Sequence, residues 1–390
     1  MKKITVGLFN DSFFPLTDGV IMVVDNYARR LSNFCNVIVF VPNYLFSKFD
    51  DTTLPYKVVR CYSLDVPFLD YSLPIPKLDY KFIRNLNKYK LDIVHIHSPF
   101  SLGVAGLKYA KRHHISCIAT MHSQFKQDFK RALKSEMLAN KFTYRLMKVY
   151  NKCDLCFAVN KEVARIYFEE YHYKTMPRVL LNATDMEPIE NNNKTYKGLD
   201  KKYNIKWNVK VFLFVGRLNI LKNILFIVDS LSVLKKKKPS LKFKMLFVGV
   251  GQDEDKLKER IKELNLEKEV LLVGKIEDRI ELASIYKRAD LFLFPSVYDA
   301  SSLVQIEAAS QKTPGVFLKN TATSSTITDN VNGFLSDETI GAYSDKIIEV
   351  MENKELYKKV SNNAYYDLYR SWDKAVEEIY DIYKDLIDKK

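Results

Sequence analysis

Short apolar segments of the length of a β-strand alternate along this chain with stretches of helical periodicity. Residues 4–9, 37–41, 209–215 and 291–294 are such segments, and polar residues, glycine or proline separate each from the helical pattern that follows. Buried strands that alternate with helices form parallel sheets with helices on both faces. The sequence therefore predicts an α/β fold whose ligand crevices lie at the carboxyl ends of the strands.

The composition is that of a globular protein, with 47% hydrophobic and 28% charged residues in a chain of 390 residues. This length is sufficient for two domains, each with its own core. No run of 18 apolar residues occurs, and the amino terminus does not resemble a signal peptide. Five cysteines without framework spacing favour a reducing compartment, so a cytoplasmic location is expected.

The net charge of +14 indicates an anionic partner. A phosphorylated substrate, an anionic membrane surface and nucleic acid all meet this requirement. The chain contains no zinc-finger, RNP or basic-zipper motif, and we therefore expect no nucleic-acid partner. No metal site is expected either, because Cys153 and Cys156 lack a second ligand pair at zinc spacing.

Composition also predicts the domain boundaries. A polar segment at residues 191–207 has the composition of a linker. It separates an amino-terminal Rossmann-like domain, residues 1–190, from a carboxyl-terminal one, residues 208–368. An amphipathic helix at 369–390 needs a surface for its apolar face, and we expect it to pack back on the amino-terminal domain.

The segment at residues 291–310 combines a strand, a loop and a helix with two carboxylates. Asp299 lies in the loop and Glu307 deeper in the helix, roughly 10 Å apart at about 1.5 Å rise per residue. The backbone N–H groups of Ser302 and Leu303 at the helix start favour a phosphate between them. This arrangement suits a ligand with two hydroxyl-rich ends and an anionic centre. The alternative is that Asp299 only caps the helix and Glu307 is solvated.

A second strand-to-helix turn carries two cations. Gly216 and Arg217 follow the strand at 209–215, and Lys222 precedes the next helix. A helix amino terminus disfavours cations, so this placement indicates an anionic ligand, which Arg217 and Lys222 could clamp as a diphosphate.

The amino-terminal half contains two weaker signals at strand ends. Gly19 precedes a helix, where a glycine allows the backbone to approach an anion closely. His122 follows the apolar segment at 115–121 and faces the expected crevice. A structural histidine, hydrogen-bonded at the end of a strand, is an equally good interpretation of His122.

Residues 125–152 form a basic amphipathic stretch, which predicts a helix that can lie on an anionic membrane surface. A helix that packs between elements and exposes a solvated basic face is the alternative. The cations assigned to this surface are Lys126, Lys130, Arg131, Lys134 and Lys141.

In this order, these motifs resemble the family 4 retaining glycosyltransferases of the GT-B fold, over nearly the whole chain. The family motif is Glu-x7-Glu, which Asp299 and Glu307 match with one conservative change, and Thr313-Pro314 matches its closing Thr-Pro. The resemblance implies two Rossmann-like domains that face each other across a cleft.

The resemblance also implies roles for individual residues. Arg217 and Lys222 would bind the donor diphosphate, and Glu307 would bind the ribose hydroxyls. The transferred sugar would contact Asp299 and His122. The remaining donor contacts would come from Gly19, Gly216, Lys275, Ile276, Ser302 and Leu303.

Within this family, the sequence segments at residues 92–103 and 119–123 are most similar to those of bacterial diacylglycerol glucosyltransferases. The resemblance therefore implies metal-independent, retaining transfer of a hexose, with glucose favoured, from a nucleotide diphosphate sugar, with a UDP-sugar favoured. No cofactor is implied. The acceptor would be a membrane-associated lipid or a glycan hydroxyl, and the protein would lie in the cytoplasm or on the inner face of the cell membrane.

Two other functions fit the same sequence. The acceptor could belong to surface polysaccharide or glycoprotein assembly. A non-catalytic GT-B subunit that binds or chaperones a partner transferase is also consistent, because the loop after Asp299 has Ala300, Ser302 and Lys312 where the family has glycine.

Overall fold

The computed structural model describes residues 3–45, 48–65, 72–190, 193–206 and 208–390, with backbone only for residue 65 and residues 193–197. Residues 191, 192 and 207 of the predicted linker lie outside this description. The chain divides into two compact units, which are described separately. Unit 1 comprises Met1–Asn182 and Trp372–Lys390, and unit 2 comprises Ala183–Ser371.

Unit 1 is built on an eight-stranded sheet in the order β4-β3-β2-β1-β5-β6-β7-β8. Its strands are β1 Thr5–Phe9, β2 Asn36–Asn43, β3 Lys57–Asp65, β4 Ser72–Pro74, β5 Ile93–Ile96, β6 Ser116–Met121, β7 Leu155–Ala158 and β8 Arg178–Val179. All neighbouring strands are parallel except β3 and β4. The strands β1, β5 and β6 are almost entirely buried, as expected for a sheet covered by helices on both faces.

The helices of unit 1 connect these strands. They are α1 Gly19–Leu31, α2 Tyr80–Lys88, α3 Ser101–Arg112, α4 Phe125–Leu133, α5 Glu136–Tyr150 and α6 Lys161–Arg165, which continues as a π-helical turn at Ile166–Glu170. Side-chain caps determine where several of them begin. Asp18 accepts a hydrogen bond from the N–H of Ile21 at the start of α1, and Asp79 accepts one from Phe82 at the start of α2.

Unit 2 contains a six-stranded, wholly parallel sheet in the order β11-β10-β9-β12-β13-β14. Its strands are β9 Lys210–Val215, β10 Phe243–Val248, β11 Val270–Gly274, β12 Leu291–Phe294, β13 Gly315–Leu318 and β14 Phe334–Ser336. Its helices are α7 Asn193–Lys202, α8 Ile224–Lys237, α9 Glu254–Glu263, α10 Arg279–Arg288, α11 Leu303–Ser310, α12 Ile340–Glu352 and α13 Lys354–Leu368. Short 3-10 turns lie at Ile220–Lys222 and Thr323–Thr326.

The last helix, α14 Trp372–Asp388, belongs to unit 1 and packs against α1. Trp372 is buried, with its ring centroid 5.4 Å from that of Tyr27 in α1. The chain passes from unit 1 to unit 2 at Asn182–Ala183. Within the segment interpreted as a linker, Leu199 and Tyr203 are buried in the core of unit 2.

The predicted α/β architecture with two mostly parallel sheets is confirmed. The prediction of one continuous basic helix over residues 125–152 is wrong, because this stretch forms α4 and α5. Lys134 between them has a left-handed backbone conformation with φ of 49°, and Ser135 caps α5 by accepting from the N–H of Leu138. In the part of the chain that the structure describes, no helix is long and apolar enough to cross a membrane.

Candidate functional site

The carboxyl ends of β9 and β12 form the point at which the strand order of unit 2 reverses direction. β9 pairs with β10 on one side and with β12 on the other. In open parallel sheets, ligands bind outside the strand ends at such a switch point. Gly216 and Arg217 follow β9 directly, and the loop with Asp299 follows β12. Two of the predicted donor-site segments therefore flank the position where a ligand is expected.

Lys222 and Asp299 form an ion pair between Nζ and Oδ1. The Lys222 side chain is 18% exposed and that of Asp299 is 16% exposed. The second oxygen of Asp299, Oδ2, is buried and has no hydrogen-bond partner among the described residues. A buried carboxylate oxygen without a donor is costly, so Asp299 has an unused acceptor for a ligand hydroxyl or N–H.

The 3-10 turn Ile220–Lys222 holds Lys222 in place. The side chain of Asn219 accepts from the N–H of Lys222 at 3.1 Å, and the carboxylate of Asp253 accepts from the N–H of Ile220 at 3.0 Å. Arg217 is exposed and forms no ion pair with a described residue. Its guanidinium is therefore available to an anion.

Close backbone packing explains glycine at positions 249 and 251, and a positive φ favours it at position 216. A Cβ on Gly249 would lie 1.9 Å from the carbonyl oxygen of Gly216, and one on Gly251 would lie 2.2 Å from that of Leu218. Gly216 and Gly249 also have positive φ values of 154° and 137°. These glycines allow the ends of β9 and β10 to approach each other, so they serve the backbone of the sheet.

Glu307 is buried in α11 and engaged on both oxygens. Oε1 accepts from Arg279 Nη2 at 2.9 Å, and Oε2 accepts from the Tyr286 hydroxyl at 3.0 Å. Arg279 also bonds to Asp185. The alternative that Glu307 is a solvated helix residue is wrong. A carboxylate can accept about four hydrogen bonds in total, so Glu307 retains acceptor capacity for ligand hydroxyls.

The alternative that Asp299 is a helix cap is also wrong, because α11 begins at Leu303 and its capping residue is Ser302. The Ser302 side chain makes no capping bond. The first-turn N–H groups of a helix have no partner within the helix, and they favour an anion. On the neighbouring side of the sheet, Lys275 is exposed and pairs with Glu277, and Ile276 packs partly buried against the core.

In unit 1, Gly19 is the first residue of α1, and a Cβ on it would meet nothing within 4 Å. The Asp18 carboxylate occupies the amino terminus of this helix, since Oδ1 lies 2.8 Å from the N–H of Ile21. The predicted contact of Gly19 with phosphate stays a prediction, and Asp18 is the group with which such a phosphate would compete.

His122 belongs to a cluster of three buried histidines at the ends of β5 and β6. His97 Nδ1 lies 3.0 Å from His122 Nε2, and His97 Nε2 is buried without a described partner. His95 contacts the Tyr383 hydroxyl at 2.7 Å and Thr120 Oγ1 at 2.8 Å. The sequence is compatible with both a structural and a functional role for His122. In the structure, the hydrogen bond between His97 Nδ1 and His122 Nε2 leaves Nδ1 of His122 for a further partner.

Burial determines the charge of this cluster. It lowers the pKa of His95 and of His122 to about 3, and it lowers the pKa of His97 well below its usual value. All three rings are therefore neutral near pH 7. His122 can exchange a hydrogen bond with a hydroxyl group, but it does not supply positive charge to a phosphate.

The predicted membrane surface consists of α4 and α5. Lys130 pairs with Glu136 at 3.1 Å and Arg131 pairs with Asp128 at 2.9 Å, so two of the five assigned cations have carboxylate partners. Lys126 is half-buried, whereas Lys134 and Lys141 are exposed and form no ion pair with a described residue.

Two further candidate functional residues were not predicted from the sequence. Arg279 pairs with Glu307 and is the first residue of α10. Cations are disfavoured at the start of a helix, and the same argument identified Arg217 and Lys222 from the sequence. Asp11 follows β1 and accepts from the Leu102 N–H at 2.8 Å and the Ser98 hydroxyl at 2.6 Å. Burial raises the pKa of Asp11 to about 6. No local pattern marks Asp11, because its partners lie far along the chain.

Known families cover both units. Residues 17–187 match the family described as "Glycosyltransferase Family 4", and residues 197–367 match that described as "Glycosyl transferases group 1". The chain is a family 4 glycosyltransferase with the GT-B fold.

Two relatives of this glycosyltransferase are alpha-monoglucosyldiacylglycerol synthases. That of Acholeplasma laidlawii is 24% identical over 403 residues, covering 98% of each chain. That of Streptococcus pneumoniae is 24% identical over 386 residues, covering 96% of this chain and 85% of the relative.

A solved structure of similar fold is that of Anabaena HepE in complex with UDP and glucose. It superposes with a TM-score of 0.77 at 15% identity, over 98% of this glycosyltransferase and 100% of the Anabaena chain. At this level of identity the match concerns the fold.

Proposed function

We propose that this glycosyltransferase moves a hexose, with glucose favoured, from a UDP-sugar to the hydroxyl group of a membrane lipid, with retention of configuration at the anomeric carbon. The assignment of the sugar-donor site rests on one observation. Oδ2 of Asp299, whose other carboxylate oxygen pairs with Lys222, is buried and has no partner among the described residues. A sugar hydroxyl that donates to Oδ2 would satisfy the carboxylate, and Lys222 would remain within reach of an adjacent diphosphate.

The costly event in such a reaction is departure of the diphosphate while charge develops on it. Arg217, Lys222 and the amino terminus of α11 would stabilise this charge as preorganised donors. An oxygen of the leaving phosphate would take the proton of the acceptor hydroxyl, so no strong protein base is needed. Glu307 would bind the ribose hydroxyls through its remaining lone pairs, with Arg279 and Tyr286 fixing its orientation.

The lipid acceptor is supported by the relatives, because both are named as synthases of a glucosylated diacylglycerol. A second support is the surface of α4 and α5. Met137 is 75% exposed and Tyr144 is 60% exposed there, near Lys134 and Lys141. Exposed apolar and cationic side chains together favour the interface of an anionic membrane.

Incubation of the pure protein with radiolabelled UDP-glucose and other nucleotide sugars, with diacylglycerol in anionic vesicles, tests the proposal. We expect label in the lipid fraction from UDP-glucose. Asp299→Asn and Glu307→Gln should each lower kcat/KM at least about 100-fold, because each removes a charge in the donor site. Glu267→Gln, on the surface after α9, is the control and should leave kcat/KM unchanged.

Other outcomes of this experiment identify the alternatives. Label in a polysaccharide acceptor but not in lipid would make the protein a glycan transferase. Absence of both transfer and nucleotide binding with every donor would leave the non-catalytic subunit and overturn the enzymatic proposal. Vesicle sedimentation tests the membrane part, since Lys134→Gln with Lys141→Gln should weaken binding to anionic vesicles but not the hydrolysis of donor in solution.

A further inference from the structure

His97 and His122 form a hydrogen-bonded pair of imidazole rings just beyond the ends of β5 and β6. His97 Nδ1 lies 3.0 Å from His122 Nε2, and the two rings are stacked with 5.3 Å between their centroids. His97 continues the sheet past β5, because its N–H donates to the Phe9 carbonyl oxygen at 2.8 Å. The parallel pairing of β5 with β6 brings His122 to the neighbouring strand end. The register of the sheet therefore creates this pair.

The two ring nitrogens outside this hydrogen bond differ in their surroundings. His97 is 2% exposed, and its Nε2 is buried without a partner among the described residues. Its ring centroid lies 4.1 Å from that of His95 and 5.8 Å from that of Tyr27. His122 is 9% exposed, and its Nδ1 is not among the buried atoms that lack a partner. His122 Nδ1 is therefore the nitrogen of the pair that can meet a ligand.

Buried His97 Nε2 decides which nitrogen of each ring carries the proton. A neutral imidazole has one N–H, so two arrangements are possible. If His97 Nδ1–H donates to His122 Nε2, the buried His97 Nε2 is a lone pair and His122 Nδ1 carries a proton. If His122 Nε2–H donates instead, His97 Nε2 is a buried N–H without an acceptor. Among buried backbone groups, an N–H without an acceptor is rarer than a carbonyl with an unused lone pair, which indicates the larger cost. The first arrangement is therefore favoured.

The backbone that follows His122 is held separately from this pair. The Tyr167 hydroxyl donates to the Ser123 carbonyl oxygen at 2.8 Å, and the Tyr171 hydroxyl accepts from the N–H of Lys126 at 3.3 Å. Tyr167 lies in the π-helical turn Ile166–Glu170, and Tyr171 follows it directly. Such turns are frequent at functional sites. Loss of His97 should therefore change the tautomer of His122 more than the position of its backbone.

We propose that His97 fixes the tautomer of His122, so that His122 presents a hydrogen-bond donor, Nδ1–H, to an oxygen atom of a substrate at this end of unit 1. His97 is a positioning residue, because it acts through His122. A protonated Nδ1 cannot accept the proton of an acceptor hydroxyl, so His122 is not a general base there. This inference rests on the proposed sugar transfer, in which an oxygen of the leaving phosphate takes that proton.

Long-range proton–nitrogen-15 correlation spectra of the full chain, with nitrogen-15 in its histidines, show which nitrogen of each neutral ring carries the proton. They are recorded near pH 7 without donor or acceptor, and His122→Gln identifies the signals of His122. We expect the proton of both His97 and His122 on Nδ1. A proton on His122 Nε2 would overturn the proposal, and the unaltered chain alone gives this result.

Three variants test whether His97 is the cause. His97→Leu removes the donor, so the proton of His122 should be shared between both of its nitrogens. His97→Asn keeps an N–H that can donate, and the proton should stay on Nδ1. His95→Gln is the matched control, because it removes a buried ring of β5 that bonds to Tyr383 and Thr120 instead of His122. A change in His95→Gln as large as that in His97→Leu would assign the effect to lost packing and overturn the role of His97.

Steady-state kinetics with UDP-glucose and diacylglycerol measures the consequence for transfer. His97→Leu should lower kcat/KM about fivefold, since His122 loses one hydrogen bond, and His97→Asn should restore most of it. Full kcat/KM in a His97→Leu chain with a changed tautomer would overturn the role of the tautomer in the reaction. Absence of transfer by the unaltered chain would overturn the proposed function and the contact with its substrate, whereas the spectra would still decide whether His97 fixes the tautomer.

Discussion

Lys222 and Asp299 combine two properties that the proposed donor site needs. Each side chain is mostly buried, so the pair is poorly screened by solvent, yet Asp299 Oδ2 has no described partner. A buried charge that loses its counter-ion is costly, while the intact pair contributes little net stability. The pair therefore holds the carboxylate in a fixed orientation while leaving one oxygen for a ligand.

The first prediction separates the cost of an unpaired buried charge from the net stability that the intact pair contributes. Lys222→Met should lower the free energy of unfolding of unit 2 by about 3 kcal/mol, because the Asp299 charge remains buried and unpaired. Adding Asp299→Asn should recover more than half of this loss, since a neutral amide then replaces the carboxylate. Scanning calorimetry of the two single variants and the double variant measures the coupling. Lys235→Met is the control, because its pair with Glu269 is more exposed and should cost less than about 1 kcal/mol. Additive effects of Lys222→Met and Asp299→Asn would contradict the coupling.

Arg279 is expected to act through Glu307. Arg279→Gln should raise KM for the nucleotide sugar about 10- to 100-fold and change kcat less than threefold, because in the proposed site it loosens the carboxylate assigned to ribose without touching the departing diphosphate. Steady-state kinetics with varied donor concentration measures this split. The matched control is Arg288→Gln at the other end of α10, whose guanidinium pairs with Asp200. A fall in kcat as large as the rise in KM would instead place Arg279 at the reacting centre.

Residue-level prediction from the sequence succeeded in locating Arg217, Lys222 and Asp299 at strand ends, because strand–loop–helix order is a local pattern. The partners of these residues depend on tertiary structure. Lys222 and Asp299 lie 77 positions apart, and Arg279 and Asp185 lie 94 apart. No periodicity in the sequence reports such pairs.

At the scale of an element, the end of α11 explains one departure from the family pattern. Lys312 has φ of 60°, and the chain there forms a Schellman motif. The N–H of Thr313 bonds to the Ala308 carbonyl oxygen and that of Lys312 to the Ala309 carbonyl oxygen, both at 3.0 Å. This left-handed position favours glycine, which the family has there, so Lys312 carries a backbone cost.

Lys312→Gly should therefore stabilise unit 2 by about 1 kcal/mol relative to Lys312→Ala. Both variants lose the contact of the lysine with the Tyr365 ring, and only alanine retains the Cβ that is strained at positive φ. Thermal unfolding of the two variants measures the difference. Equal stabilities would show that the loop relaxes out of the left-handed conformation when the lysine is removed.

The alternation of strands and helices was predictable because buried parallel strands are continuous apolar runs. The division between α4 and α5 was not, because Lys134 adopts a left-handed conformation without being glycine or asparagine. The helical character of residues 193–202 was hidden by their polar composition, which suggested a linker although Leu199 is buried in unit 2. There, tertiary burial overrides local propensity.

At the scale of the whole molecule, titratable groups are divided unequally between the units. All six histidines of the chain lie in unit 1, at positions 95, 97, 113, 114, 122 and 172. The pKa values of His95, His97 and His122 are lowered in the folded chain. Between about pH 3 and 6.5, these rings therefore bind protons in the unfolded chain but not in the folded chain. Stability is present above pH 6.5 and is lost as pH falls toward about 3. Asp11 acts in the opposite sense, because its raised pKa favours the folded state below about 6.

Unit 1 should therefore lose stability on acidification while unit 2 has no histidine to titrate. Near pH 5, unfolding of unit 1 should take up about two protons, three for the histidines less one for Asp11, or roughly 2.7 kcal/mol per pH unit. Urea unfolding of Trp207→Phe between pH 5 and 6.5 measures this slope, because Trp372 in unit 1 is then the single tryptophan. In that background, Asp11→Asn should steepen the slope by one proton and His95→Gln should reduce it by one. A slope that both variants leave unchanged would contradict the assignment of these protons to the buried cluster and to Asp11.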